Sequence, residues 1–150
     1  MKTDLRKILV PYAESEHETL DDLFELIKVK PGQKTLDMGS GDGRMVIEMA
    51  KRGAEAHGIE IIEKYVRRSL WKIAQANLSN KAFIHRKDFW DEGLSSYDII
   101  TIYPMAIIID ELKKKLTREV KKGTIVVING FKIPGRKIWK EKGFTFVYKF

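Results

Sequence analysis

Thr35-Leu36-Asp37-Met38-Gly39-Ser40-Gly41-Asp42-Gly43-Arg44 places three glycines at alternate positions between a short apolar stretch and an amphipathic one. Residues 35–38 read as a buried strand, and residues 44–52, with Met45, Val46, Ile47, Met49 and Ala50 on one face, as a helix. Strand, glycine turn and helix in that order mark the place where doubly wound sheets hold nucleotide-like ligands. A dinucleotide fingerprint, G-x-G-x-x-G, would need its third glycine at position 44, where Arg44 stands; the glycine comes one residue early. Asp37 and Asp42 also set two carboxylates about a turn whose amides would otherwise draw a diphosphate.

A cationic ligand without phosphate suits this charge pattern better. S-adenosylmethionine carries an ammonium and a sulfonium, and the glycines let the backbone approach it closely. The pattern Asp37-x-Gly39-x-Gly41-x-Gly43 resembles the first motif of the class I methyltransferases, D-x-G-x-G-x-G, in register. That resemblance implies a three-layer, Rossmann-like α/β fold. It also implies a loop of Gly39, Ser40, Gly41 and Gly43 wrapped round the methionine part of the cofactor, with Asp37 organising its ammonium.

Outward from the turn, apolar and polar segments alternate at short intervals. Strands are expected at 55–59, 82–86, 97–103 and 124–131, and helices at 19–29, 62–77 and 106–120. The strands at 97–103 and 124–131 are almost continuously apolar, as in a parallel sheet covered on both faces. In the tail, 136–139 and 144–150 flank Lys140-Glu141-Lys142-Gly143, a spacing that suits an antiparallel hairpin. If 136–139 is a helical turn instead, the sheet has six strands. The expectation is a mostly parallel sheet ending in a hairpin, in one domain of 150 residues, with 1–18 as an arm over the cofactor site.

Further candidates lie at the ends of the expected strands. Glu60 stands about 20 residues beyond the turn, where an acidic side chain can accept both hydroxyls of a ribose; Ile61 and Ile62 can pack on the adenine. The resemblance assigns Asp88 to the adenine amino group, with its neighbour Phe89 contributing a backbone amide or a ring face. Capping by Asp88 and core packing by Phe89 and Trp90 is the alternative. Tyr103-Pro104 follows the fourth strand, nearest the departing methyl group in this fold. The Asn/Asp-Pro-Pro-aromatic box of enzymes that methylate base amines is absent there.

Val10-Pro11-Tyr12-Ala13-Glu14-Ser15 resembles the Pro-Tyr-Val-Pro-Thr segment of small archaeal and mitochondrial protein-lysine methyltransferases. Pro11 and Tyr12 match, Ser15 replaces the threonine, and Ala13 and Glu14 depart from the pattern. The resemblance implies that Ser15 approaches the cofactor, and Tyr12 and Tyr103 are expected to wall the acceptor amine as positioning residues. A protein substrate is therefore favoured over RNA, with a non-catalytic cofactor-binding subunit as a third reading.

Composition bounds the rest. The chain has no cysteine, which removes disulfides, thiolate metal sites and a cysteine nucleophile. His17, His57 and His85 lack ligand spacing, so no metal is expected. No apolar run approaches the ~20 residues that cross a bilayer, and a cytoplasmic location is expected. The net charge of +7 is uneven: residues 111–150 hold 12 Lys and Arg against 3 Asp and Glu, whereas the first 110 hold 16 against 18. Such a basic third can steer an anionic partner such as RNA, or simply form a solvated face. Oligomeric state is left open.

Overall fold

The computed structural model describes residues 17–150; Tyr12, Ser15 and the rest of the expected arm before residue 17 lie outside the described residues. Seven strands form one sheet in the order β3-β2-β1-β4-β5-β7-β6. They are β1 (Lys34–Met38), β2 (Glu55–Glu60), β3 (Ala82–Arg86), β4 (Ile99–Ile102), β5 (Ile125–Asn129), β6 (Lys140–Lys142) and β7 (Thr145–Lys149). The first five are parallel; β7 runs antiparallel to β5, and β6 antiparallel to β7. The order reverses at β1, so the crest above its carboxyl end is the switch point of a doubly wound sheet.

Side-chain alternation assigns the two faces. Ile99, Val127 and Val147 join Leu20 and Leu23 of α1 (His17–Leu26), Met45, Val46 and Met49 of α2 (Arg44–Lys51), and Ile73 of α3 (Glu63–Gln75). Their neighbours Leu36, Met38, Ile100, Ile102, Val126, Ile128, Phe146 and Tyr148 face the other way, onto Leu112 and Leu116 of α4 (Ile109–Glu119). Three layers result, and a one-residue slip in any central strand would exchange the two cores.

The tail corrects the sequence expectation. The segment 136–139 is neither strand nor helical turn, and Lys140-Glu141-Lys142, read as a hairpin loop, is itself the strand β6; the turn is Gly143-Phe144. All three β6 residues are exposed because β6 is the edge of the sheet. Charges on an edge block pairing with another chain, so the strand carries no apolar alternation to read. The helix expected at 106–120 opens as a 3-10 turn, Ala106–Ile108, before α4. Among the described residues, no helix is long and apolar enough to cross a membrane.

Candidate functional site

The glycine turn is built by its own backbone. Gly39, Gly41 and Gly43 have φ of 77°, 54° and 85°, all in the left-handed region that glycine adopts without steric cost. The Gly39 and Ser40 amides donate to the Ile59 carbonyl of β2 at 2.9 and 2.8 Å, so the turn leans on its neighbouring strand. From behind, the Ser69 hydroxyl of α3 donates to the Gly41 carbonyl at 2.9 Å.

Two carboxylates meet at this crest. The Thr101 hydroxyl of β4 donates to Asp37 Oδ1 at 2.7 Å. Burial, opposed by that hydrogen bond and reinforced by the nearby Glu60 charge, pushes the Asp37 carboxyl up to about 7. Desolvation and a like charge both disfavour its ionised form, and a cation placed between the two acids would reverse that balance. Glu60 is buried; its Oε1 accepts the Gly41 amide at 3.2 Å and its Oε2 the Ile62 amide at 3.0 Å. Each oxygen keeps a further lone pair. Glu60 thus holds the turn in shape.

Asp42 departs from its expected part. Its buried carboxylate takes Lys72 Nζ of α3 at 2.6 Å and Arg44 Nε at 3.1 Å, so its charge is answered within the protein. It ties the turn to α3 and does not supply a free anion. Ser40 also turns inward: its Oγ is buried without a hydrogen-bond partner among the described residues, against Gly58. A Cβ at 58 would stand 2.7 Å from that Oγ, so what Ser40 offers the crest is backbone.

The remaining candidates surround the same crest. Ile61 is 47% exposed just beyond β2. Asp88 lies two residues past β3, where its Oδ1 caps Trp90 N at 3.0 Å, and Phe89 packs on Trp90 with ring centroids 5.0 Å apart. Phe89 and Trp90 pack partly into the core on the α4 side. The capping and packing alternative is therefore present in the structure, and Oδ2 of Asp88 is left for other use. Tyr103, immediately after β4, is 53% exposed. Its ring reaches over Gly130, where a Cβ would meet Cζ at 3.5 Å.

Away from the crest, His57 Nδ1 and His85 Nε2 are 2.8 Å apart with rings nearly coplanar. Burial holds the His57 imidazole below its usual range. No group of three or more metal-binding side chains occurs among the described residues.

Thr101, Ser69 and Lys72 escaped the sequence reading. Thr101 had a signal, being the one polar residue within Ile99-Ile100-Thr101-Ile102. Ser69 and Lys72 meet partners about 30 positions away and had none.

Known proteins complete this description. Residues 37–140 match the ANTKMT methyltransferase domain. A protein-lysine N-methyltransferase of Saccharolobus islandicus is 31% identical over 135 residues, 89% of this chain and 82% of that protein. The adenine nucleotide translocase lysine N-methyltransferase of Mus musculus is 29% identical over 129 residues, 85% of this chain but only 56% of that protein. In fold, an RNA methyltransferase from Salinibacter ruber, crystallised with S-adenosyl-L-homocysteine, superposes with a TM-score of 0.86. It is 22% identical, and the match covers 91% of this chain and 93% of that one. The chain belongs to the ANTKMT methyltransferase domain family.

Proposed function

We propose that the chain transfers a methyl group from S-adenosylmethionine to lysine amines of a protein. The observation that carries this reading is the pairing of Asp37 and Glu60 at a glycine turn whose third acid, Asp42, is already neutralised. Two acids given no cationic partner by the described residues suit the ammonium and sulfonium of that cofactor, and the left-handed turn approaches them without side chains. The names of the Saccharolobus and mouse relatives support lysine as the acceptor.

When bound, the cofactor supplies an electrophilic methyl carbon; the amine lone pair forms the new C–N bond as the C–S bond breaks and its electrons stay on sulfur. The chain's residues do the rest. Asp37 holds the ammonium, Glu60 the ribose hydroxyls, Ile61, Asp88 and Phe89 the adenine, and Tyr103 walls the acceptor side. Positioning a neutral amine about 3 to 3.5 Å from the methyl carbon then supplies much of the rate. The methylated ammonium loses its proton to water.

An RNA substrate is the second reading, resting on the basic C-terminal third. Many of its cations are already engaged: Lys114 with Glu111, Lys115 and Arg118 with Glu119, Lys121 with Asp98, and Lys142 with Asp22 and Glu25. This weakens the case for a phosphate-binding face. Incubation with radiolabelled-methyl cofactor and a cell extract, then separate protease and ribonuclease digestion, decides between the readings. Protease-sensitive label that yields methyl-lysine on hydrolysis is the expected result. Ribonuclease-sensitive label would move the assignment to RNA, and cofactor binding without transfer would indicate a partner-dependent subunit.

A further inference from the structure

Polar side chains continue along the crest past the cofactor's proposed seat. Ile102 of β4 lies opposite Ile128 of β5, so the next residues in register are Tyr103 and Asn129; Asn129 in turn pairs with Thr145 of β7. By alternation from Val127 and Val147, Asn129 and Thr145 share the sheet face of Thr101 and Asp37. At ~4.8 Å between strands, Asn129 stands about 10 Å from β1, two strands beyond the methionine end.

Asn129 is 4% exposed, and its Oδ1 accepts the Thr145 hydroxyl at 3.0 Å. The described residues give its Nδ2 no hydrogen bond. Nδ2 is not among the buried side-chain atoms left without a partner, so this end of the amide is the one that reaches solvent. Asn129 ends the apolar run Ile125-Val126-Val127-Ile128. Next to it, Gly130 has no side chain to obstruct the Tyr103 ring, which passes within 3.5 Å of the position of a Cβ. An amide and an aromatic ring are thus set side by side on adjoining strands. The box that would put both on β4 is absent, and β5 supplies its polar half.

We infer that Asn129 holds the acceptor amine, its carbonyl oxygen taking one amine N–H while the lone pair faces the methyl carbon. This rests on the amine reading proposed above. The Thr145 hydroxyl can donate to Oδ1, as here, or accept from Nδ2 after a half-turn of the amide, so it can present the carbonyl to the cleft. A neutral amide is the fitting acceptor. A carboxylate in its place would stabilise the ammonium form of lysine and remove the lone pair that reacts.

The test compares wild type with Asn129→Ala and Asn129→Asp. Poly-L-lysine and the labelled extract protein serve as acceptors, with kcat followed from about pH 6.5 to 10, the range over which a lysine amine loses its proton, and cofactor affinity measured by calorimetry. Asn129→Ala is expected to lower kcat about 10- to 100-fold with cofactor Kd within twofold of wild type. Asn129→Asp should lose more at pH 7 and recover as pH rises, its optimum displaced to the alkaline side. Methyl-lysine formed by both variants at the wild-type rate and pH profile overturns this inference alone. Loss of cofactor affinity in step with kcat also overturns it, by assigning Asn129 to the cofactor or to the fold. Absence of methyl-lysine from the wild-type product overturns the amine reading, and the inference with it.

Discussion

The crest has two halves of opposite character. Over β1 and β2 it carries acids, with Asp37 and Glu60 facing the same small region beside the glycine turn. Over β4, β5 and β7 the corresponding side chains are Tyr103, Asn129 and Thr145, none of them a carboxylate. The two halves suit the two partners of a methyl transfer from a sulfonium. One partner is a permanent cation that anions retain; the other must give up its proton, which anions would discourage. About 10 Å of sheet, two strand spacings, thus separates a place where charge helps from one where it hinders.

Breaking the acidic half should have the largest effect. Asp37→Asn is expected to weaken cofactor binding about 10- to 100-fold, the worth of a charge-assisted hydrogen bond in a desolvated place, as read by calorimetry. The same change should stabilise the cofactor-free protein at alkaline pH. Folded Asp37 keeps its proton to about pH 7, whereas the unfolded chain releases it near 3.8. Wild-type stability therefore falls as pH rises between those values, and Asn removes that fall. Thermal melts at pH 5 and pH 8 test the sign; a variant that tracks wild type at both would refute the assignment of Asp37.

Glu60→Gln keeps one hydrogen bond to the turn but loses the charge, and about a tenfold loss in cofactor affinity follows. Lys72→Met removes the shorter of the two ion pairs that Asp42 makes among the described residues, with Lys72 and Arg44, and should cost about 1 kcal/mol in denaturant unfolding. Its effect on cofactor affinity should be smaller than that of Glu60→Gln, because Asp42 points at α3. Ser40→Ala sharpens the comparison from below. Its Oγ has no hydrogen-bond partner among the described residues, so affinity should stay within twofold and stability within about 0.5 kcal/mol of wild type. A large loss of affinity would mean that Ser40 reaches the ligand after all.

The parallel part of the sheet could be read because its central strands β4 and β5 are buried almost throughout and its turn uses residues that few other structures need. Gly39, Gly41 and Gly43 are legible for the same reason that they are required. The expected hairpin is present, but its first strand lies at Lys140-Glu141-Lys142 and not at 136–139, since an edge strand signals its role by charge and not by alternation. Within the site, the glycine turn could be read from its spacing, whereas Asp37 and Glu60 were singled out with the help of the motif that the turn resembles. The neutralisation of Asp42 could not be read, because nothing near position 42 announces a lysine 30 residues on. Asn129 and Thr101 each left a trace, one polar residue in an apolar strand, but their shared face becomes visible only once β4 and β5 are known to be neighbours.

The edge strand has a consequence for the order in which the molecule is assembled. Lys142 reaches Asp22 and Glu25 of α1, and Lys140 Nζ donates to the Leu26 carbonyl at 3.2 Å. Residues of β6 are therefore clasped to a helix that precedes the whole sheet, with 114 positions between Leu26 and Lys140. During synthesis α1 emerges well before these partners, and contacts so distant in sequence form slowly. The nascent protein thus fastens α1 in its finished place only when β6 has joined the sheet.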